Sequence, residues 1–328
     1  MAERIRVGVV GVGSLGAHHA RVLRDCPGGE LVGVYEPREA RAAEIARELE
    51  VRAFPSLDSL LDVAQAVTIA VPTSDHHAVA GAALDRGLDV LIEKPITSSL
   101  EEADDLLARA DRRGGIIQVG HIERFNAAVR ACEPYLKDPL FVESHRLAPF
   151  VPRGTDVPVV LDLMIHDIDL VLSLVHEEIA AVAAVGVPVL TPTVDIANAR
   201  IDFVNGAVAN ITASRVSAER QRKIRFFQPS AYLSLDLAQG RGRVYRRRVP
   251  APAPDAVTSL LDYVEPIELR GDGREPLRLE MESFLQAVRR EAPAAVSGAE
   301  ARRALEVALG IIDRIEANRP DVTDSTAT

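Results

Sequence analysis

At 328 residues the chain is longer than one hydrophobic core usually supports, so two domains are expected. Its formal net charge of -10 argues against nucleic acid or an anionic membrane as a general partner, and no uncharged apolar run is long enough to span a bilayer. The two cysteines, Cys26 and Cys132, lack metal-ligand spacing and read as reduced structural thiols of a cytoplasmic protein.

The chain enters its first strand almost at once, with no signal-peptide pattern. Ile5-Arg6-Val7-Gly8-Val9-Val10 runs directly into Gly11-Val12-Gly13-Ser14-Leu15-Gly16, and a helical pattern follows from Leu15 to Leu23. In that setting Gly11 permits a tight turn, Gly13 lets the backbone approach a pyrophosphate, and Gly16 allows close packing of helix on strand. The helix amino terminus then presents its unpaired N–H groups to the phosphates of a dinucleotide. The next strand, Leu31-Val32-Gly33-Val34-Tyr35, ends in Glu36, near the interval expected for a ribose-binding acid. Glu36 can accept from both ribose hydroxyls and would repel a 2′-phosphate, which favours NAD; Arg38 could instead pair with that phosphate in NADP. NAD is preferred.

Glu39 to Leu49 reads as an alanine-rich amphipathic helix, and a short helix covers Leu57 to Leu61. Ala66-Val67-Thr68-Ile69-Ala70 is a strand stopped at Pro72, with Ser74 or Asp75 as cap of the helix running to Arg86. Val90-Leu91-Ile92 has the character of an inner parallel strand and ends in Glu93-Lys94-Pro95. Ligands of such sheets lie beyond the carboxyl ends of the strands, so Lys94 projects toward a crevice, as a mobile cation or a proton donor and acceptor. Taken alone, such a lysine is more commonly a solvated strand end. Leu100 to Arg113 is helical, capped by Ser98 or Ser99, and Ile116-Ile117-Gln118-Val119 counts as a sixth strand. Repeated strand–helix units imply an α/β domain with a doubly wound parallel sheet, ending near Gly120.

Beyond this point the rhythm changes. Asn126 to Leu136 reads as a linking helix, Phe141 to Leu147 as a strand, and Val159 to Val175 as an apolar helix after a loop with Pro149, Pro152 and Gly154. Strands without intervening helices follow near Ala180 to Val185, Ala197 to Phe203, Ala207 to Ala213, Lys223 to Gln228 and Ala231 to Leu237, with a tight hairpin turn at Asn205-Gly206. This is an α+β domain with an open, mostly antiparallel sheet, whose uncovered face suggests self-association. Pro250 to Pro254 reads as a surface loop, and helices over Leu277 to Arg290 and Ala299 to Ala317 close the fold. The expected division is residues 1–122 as the NAD-binding Rossmann domain, 123–320 as the substrate-binding and oligomerisation domain, and 321–328 as a flexible tail.

The apolar helix carries Asp162-Leu163-Met164-Ile165-His166-Asp167-Ile168-Asp169. Asp162 and His166 stand four apart and share one helical face; Asp169 lies nearby and Asp167 points elsewhere. Polar groups within so apolar a helix are costly unless paired or useful. A histidine beside a carboxylate suits general-base work near neutral pH, although an ordinary helix ion pair explains the spacing as well. No metal site is expected, since His121, His145 and His166 lack a local ligand pattern.

The order Gly-rich turn, Pro72 with His76, Glu93-Lys94-Pro95, then Asp162 with His166 resembles the Gfo/Idh/MocA family of NAD(P)-dependent oxidoreductases, over almost the whole chain. The resemblance implies a Rossmann domain plus an open antiparallel sheet domain, through which members assemble as homo-oligomers, here a dimer or tetramer. It makes Lys94 and His166 the acid–base groups flanking the reacting carbon, with Asp162 orienting His166. It assigns the cofactor to Gly11 through Gly16 (Val12, Gly13, Ser14 and Leu15 included), to Glu36, Arg38, Thr73 and His76, and to Glu93 and Lys94.

Two further segments, Gln118 to Asn126 and Ser144 through Phe150, look like the sugar-nucleotide branch, most similar to UDP-N-acetylglucosamine 3-dehydrogenases, which prepare a 3-keto sugar for lipid A precursors. Ala127 departs from the proline that often follows Arg-Phe-Asn. The resemblance makes Glu123, Arg124, Asn126, Arg146, Arg153 and His166 substrate-binding candidates, the arginines because a diphosphate needs cations. Three alternatives stay open: a dehydrogenase of inositol or an unactivated sugar, a glycoside hydrolase using tightly held NAD, and a non-catalytic nucleotide sensor.

Overall fold

The computed structural model describes residues 4–152, 157–250 and 259–318, which fall into two compact units. The first is built on five parallel strands: β1 (Ile5–Val10), β2 (Gly29–Tyr35), β3 (Ala66–Ile69), β4 (Asp89–Glu93) and β5 (Ile117–Gly120), in the order β2-β1-β3-β4-β5. Between them run α1 (Ser14–Arg24), α2 (Glu39–Leu49), α3 (Leu57–Leu61), α4 (Thr73–Asp85) and α5 (Leu100–Arg113). Every residue of β3 and β5, and the first four of β4, is buried, as expected of strands covered on both faces. This is the doubly wound α/β sheet expected, with one correction. The segment counted as a sixth strand is the fifth; between α2 and α3 the described residues form only an isolated bridge, Val34 with Ala53.

Helix ends show where local chemistry acts. Ser99 caps α5, its hydroxyl accepting from the Glu102 N–H at 3.3 Å. Neither Ser74 nor Asp75 caps α4, which begins a residue earlier behind Pro72 with no side-chain cap. The fixed φ of proline suits that entry, leaving the N–H groups of the first turn without a side-chain acceptor.

The second unit holds eight strands: β6 (Phe141–Leu147), β7 (Ile179–Val187), β8 (Ile196–Phe203), β9 (Val208–Ser214), β10 (Gln221–Gln228), β11 (Ala231–Asp236), β12 (Arg241–Arg247) and β13 (Val264–Arg270). Their order is β13-β12-β11-β10-β6-β9-β8-β7, antiparallel except for the β6–β9 pair. The sequence reading omitted β12 and β13. Arg-Gly-Arg-Val-Tyr-Arg-Arg contributes one core residue, Val244, and Pro266 suits β13 only because that strand is the sheet edge. The linking helix expected to Leu136 is shorter, α6 (Ala127–Cys132) followed by a 3-10 turn, Glu133–Tyr135. The apolar helix opens with a π-helical turn, Val160–Met164, before α7 (Ile165–Val175).

One sheet face packs a core through Ile201, Ala209, Ile211, Ile224, Phe226 and Leu233. The opposite face carries a row of aromatic rings across four strands: Phe141–Phe227 tilted at 5.4 Å, then Phe227–Tyr232 stacked at 4.8 Å and Tyr232–Tyr245 stacked at 5.4 Å between centroids. These are directly opposed cross-strand pairs, the unit of sheet stabilisation. At the β7 edge Val185 is 60% exposed.

After a one-turn helix, α8 (Leu260–Tyr263), and β13, the chain forms α9 (Pro276–Val288) and α10 (Gly298–Ala317). Segment Gly273–Leu305 groups with Met1–Asn126 in the first unit, whereas the expected boundary left it in the second. The reason is packing: Leu277, Met281, Phe284 and Leu285 of α9 join Ile5, Val7, Leu23 and Leu91 in one core. Full burial of each such side chain stabilises by about 1.5–3 kcal/mol. The Arg153 and Gly154 positions, the end of the Pro250–Pro254 loop and the tail at 321–328 lie outside the described residues.

A buried ion pair holds the loop between β7 and β8. Asp195 accepts from the N–H groups of Val189, Leu190 and Thr191 at 2.7–2.9 Å, and from Arg215 Nε at 2.8 Å. Burial pushes its carboxyl up, but these donors outweigh that and hold it well below the usual range. The stability it contributes is therefore present above that range and lost as pH falls through the depressed value. Arg215→Met should lower stability by about 3–5 kcal/mol, since a buried charge loses its partner. Urea unfolding checks this, and Asp195→Asn added to Arg215→Met should recover part of the loss.

Candidate active site

The turn after β1 is shaped for close backbone approach. Gly11 sits at φ 81°, and its N–H donates to the Tyr35 carbonyl at 2.8 Å. A Cβ on Gly16 would collide with the Gly11 carbonyl oxygen, so only glycine lets α1 start this close to the turn. At Gly13 the space is open: a Cβ would meet nothing nearer than Arg38 Nη2 at 3.8 Å. Helix α1 has no side-chain cap and no acid in its first turn, so its amino-terminal N–H groups are left for an anion. These features fit a pyrophosphate. Arg41 steadies the turn from behind, Nε donating to the Val12 carbonyl at 2.9 Å.

Glu36 stands at the end of β2, buried, with one oxygen accepting from the Val12 N–H at 3.1 Å and the other from Arg38 Nε at 2.7 Å. The Arg38 hydrogen bond holds its carboxyl below the usual range, against burial and with help from Val12. The acid is thus ionised and fixed beside the Gly-rich turn, as a ribose-binding carboxylate must be. The Arg38 guanidinium, exposed in the main, is directed to Glu36.

Glu93 and Lys94 lie at the carboxyl end of β4, followed by a cis Lys94–Pro95 peptide. Glu93 Oε2 accepts from the Lys94 N–H at 3.2 Å. His76, on α4 just beyond Thr73, is buried, with Nδ1 2.9 Å from the Pro95 carbonyl and Nε2 3.1 Å from that of Val71. Burial pushes its pKa down although both carbonyls oppose this, so the ring is neutral and donates to one of the two. His76, expected beside the cofactor, ties the segments that follow β3 and β4 together through its ring nitrogens.

In the second unit Asp162 lies in the π-helical turn and His166 in the first turn of α7, both half-buried. A π-turn at such a place often marks a functional site. Asp167 points elsewhere, as expected: it forms a buried bidentate pair with Arg146 of β6, at 2.7 and 3.1 Å. Arg146 is therefore a structural partner of α7, which replaces its reading as a phosphate ligand. Nearer residues show similar ties within the first unit. Buried Glu123 accepts from Asn126 Nδ2 at 2.9 Å, and Arg124, 15% exposed, donates to Glu300 at 2.9 Å.

Sequence reasoning passed over two residues of this region, His19 and Glu280, both buried and both on core-facing helical stripes. The signal was present: Glu280 falls between Leu277, Met281 and Phe284 at helical spacing, where an acid is out of place.

Known proteins give a consistent picture. Family models match in succession: the GFO/IDH/MocA oxidoreductase family, NAD-binding Rossmann fold, over residues 5–121, and the GFO/IDH/MocA C-terminal domain over residues 120–231. The chain is 41% identical over 318 residues to the UDP-N-acetylglucosamine 3-dehydrogenase of Acidithiobacillus ferrooxidans, covering 95% of this chain and 98% of that one. A solved structure of that enzyme superposes with a TM-score of 0.88 at 39% identity, covering 96% and 99% of the two chains. A scyllo-inositol 2-dehydrogenase (NAD+) of Bacillus subtilis is 31% identical over 66% of this chain and 69% of its own. The fold is shared with the scyllo-inositol dehydrogenase of Lactobacillus casei solved with NAD(H) and scyllo-inositol, at TM-score 0.78 and 20% identity over 96% and 98% of the chains.

The Gly16 contact generates a direct test. Gly16→Ala should push α1 off the turn and weaken NADH binding by about tenfold or more, a loss of at least 1.4 kcal/mol in the usual conversion. Titration of NADH fluorescence measures it; unchanged affinity would mean that α1 does not present the phosphate-binding N–H groups.

Proposed function

The chain belongs to the Gfo/Idh/MocA family of oxidoreductases, and on that premise we propose that it oxidises the 3-hydroxyl of UDP-N-acetylglucosamine to a ketone. The observation that carries this reading is the 41% identity to a UDP-N-acetylglucosamine 3-dehydrogenase along 95% of the chain. Inositol dehydrogenases match at lower identity over shorter stretches, such as 31% over 66%.

In this reading NAD is the cofactor and supplies the hydride acceptor. The ionised Glu36 favours NAD over NADP, because a 2′-phosphate would meet its charge and would have to draw Arg38 away from it. Lys94 and His166 are the candidate acid–base groups: one takes the proton of the 3-hydroxyl as the C3 hydrogen departs with its electron pair. Asp162, at four residues from His166, orients the imidazole. Glu93 fixes the Lys94 main chain through the N–H contact. Of the arginines, Arg124 stays a candidate for the diphosphate, with Arg153 outside the described residues; Arg146 does not, being buried against Asp167.

The wider reading follows from the chemistry. A 3-keto sugar nucleotide is what an aminotransferase needs, which fits a role in amino-sugar precursors of lipid A, with substrate and cofactor both cytoplasmic metabolites. The uncovered sheet face, with its row of aromatic rings, supports homo-oligomer formation through that sheet. Among the described residues no helix is long and apolar enough to cross a membrane.

The deciding experiment mixes purified protein with NAD+ and UDP-N-acetylglucosamine, alongside free N-acetylglucosamine and inositol, with a carbonyl trap and mass detection of the product. NADH and a trapped UDP-sugar two hydrogens lighter are expected, with Lys94→Ala and His166→Asn each lowering turnover by about 10² to 10⁴ while NAD still binds. Turnover of inositol or the free sugar alone would reject the nucleotide-sugar substrate. Full activity in both variants would reject the acid–base assignment.

A further inference from the structure

Behind Glu93 lies a cluster that the reaction as described does not use. His19 from α1, Glu93 at the end of β4 and Glu280 from α9 all belong to the first unit, and a donor atom of each lies within 4.8 Å of the others. His19 Nε2 is 2.9 Å from Glu93 Oε1, while Glu93 Oε2 accepts from the Lys94 N–H. Glu93 is 14% exposed; His19 and Glu280 are buried. Among the described residues neither oxygen of Glu280 has a hydrogen-bond partner, and neither has His19 Nδ1.

An ionised, unpaired carboxylate at full burial is penalised by several kcal/mol, and a second negative charge beside it adds to that. One of the two acids must therefore keep its proton. The groups facing the pair decide which. Glu93 has the His19 ring and the Lys94 ammonium and N–H; these outweigh its burial and hold its carboxyl below the usual range, while the neutral ring of His76 adds no charge. Glu280 has burial and the Glu93 charge, both of which push its carboxyl well above that range. From β5, Gln118 Nε2 donates to the Glu280 backbone carbonyl at 3.1 Å and leaves the side chain alone.

We propose that Glu280 is a positioning residue of the oxidoreductase site, a neutral carboxylic acid that, by keeping its proton, leaves a single charge on Glu93 beside Lys94. With one proton on Glu280, His19 can hold its Nε2–H on Glu93, and Glu93 can hold the main chain at Lys94. If Glu280 ionised, two carboxylates would compete for one imidazole and the Glu93 side chain would turn. The effect on turnover rests on the assignment of Lys94 made above; the proton itself does not.

Infrared difference spectra of wild type and Glu280→Gln at neutral pH, in H2O and D2O, test the proton without any turnover. The wild type should show the carbonyl stretch of a protonated carboxylic acid, shifted in D2O and missing from the variant. A difference confined to carboxylate bands would overturn the proposal. So would a stoichiometric divalent metal in the wild type that Glu280→Gln loses. In the NADH assay, Glu280→Ala should lower kcat by about tenfold or more with KM for NAD little changed, and Glu280→Gln should restore most of that loss. Equal loss in both variants would also overturn it. Should Glu280→Ala not fold, the infrared comparison decides by itself. Should the wild type not oxidise the UDP-sugar, the functional reading fails while the infrared result still judges the proton.

Discussion

The close approach of α1 to the turn after β1 is the constraint on which the first unit's chemistry depends. It exists because Gly16 has no side chain to strike the Gly11 carbonyl. From that one contact the helix acquires a fixed height and direction over the sheet. Its amino terminus is left uncapped, while one turn further on the same buried face sets His19 against Glu93. A single helix thus links the nucleotide-binding turn to the end of β4, where Lys94 begins. Glu36 adds the second fixed point, since its bond to the Val12 N–H joins the end of β2 to the same turn.

In the second unit the corresponding constraint is charge. Two arginine–aspartate pairs lie almost wholly inside the protein: Arg146 with Asp167, and Arg215 with Asp195. Hydrophobic residues of similar size would often serve stability as well. What the pairs add is direction. The bidentate Arg146–Asp167 fork fixes the rotation of α7 against β6, and with it the face on which His166 stands. Asp195 collects three successive N–H groups and so sets the course of the loop between β7 and β8.

Much of this was legible in the residues. The Gly-rich turn, the acid ending β2 and the lysine ending β4 are local patterns whose meaning depends on a strand directly before them, and those strands are strongly apolar. Legibility fell where the determinant was a distant partner. Arg146 reads from sequence as a free cation, because nothing local tells that Asp167 will meet it. Strands β12 and β13 contribute so few core side chains that no alternation of hydropathy marks them, and they exist because β11 offers an edge to pair with. The domain boundary shifted for the same reason. Helix α9 shows an apolar stripe, but the stripe does not say which core it fills. Glu280 was hidden most simply of all, as an acid in a helix with many charges, conspicuous only once its neighbours on that stripe are counted.

That stripe has a bearing on how the protein is made. The first unit is discontinuous: Met1–Asn126 receives its last core residues from Gly273–Leu305, with the whole of Ala127–Asp272 intervening. A chain emerging from the ribosome amino terminus first therefore displays Ile5, Val7 and Leu23 for most of its synthesis before Met281 and Phe284 arrive to cover them. Nascent β1 and α1 must wait, holding apolar surface open or shielded by a chaperone, while the intervening sheet has all its strands available to pair. Completion of the nucleotide-binding half is then a late event in biogenesis, and a ribosome that stalls before codon 273 releases a product with an unfinished core.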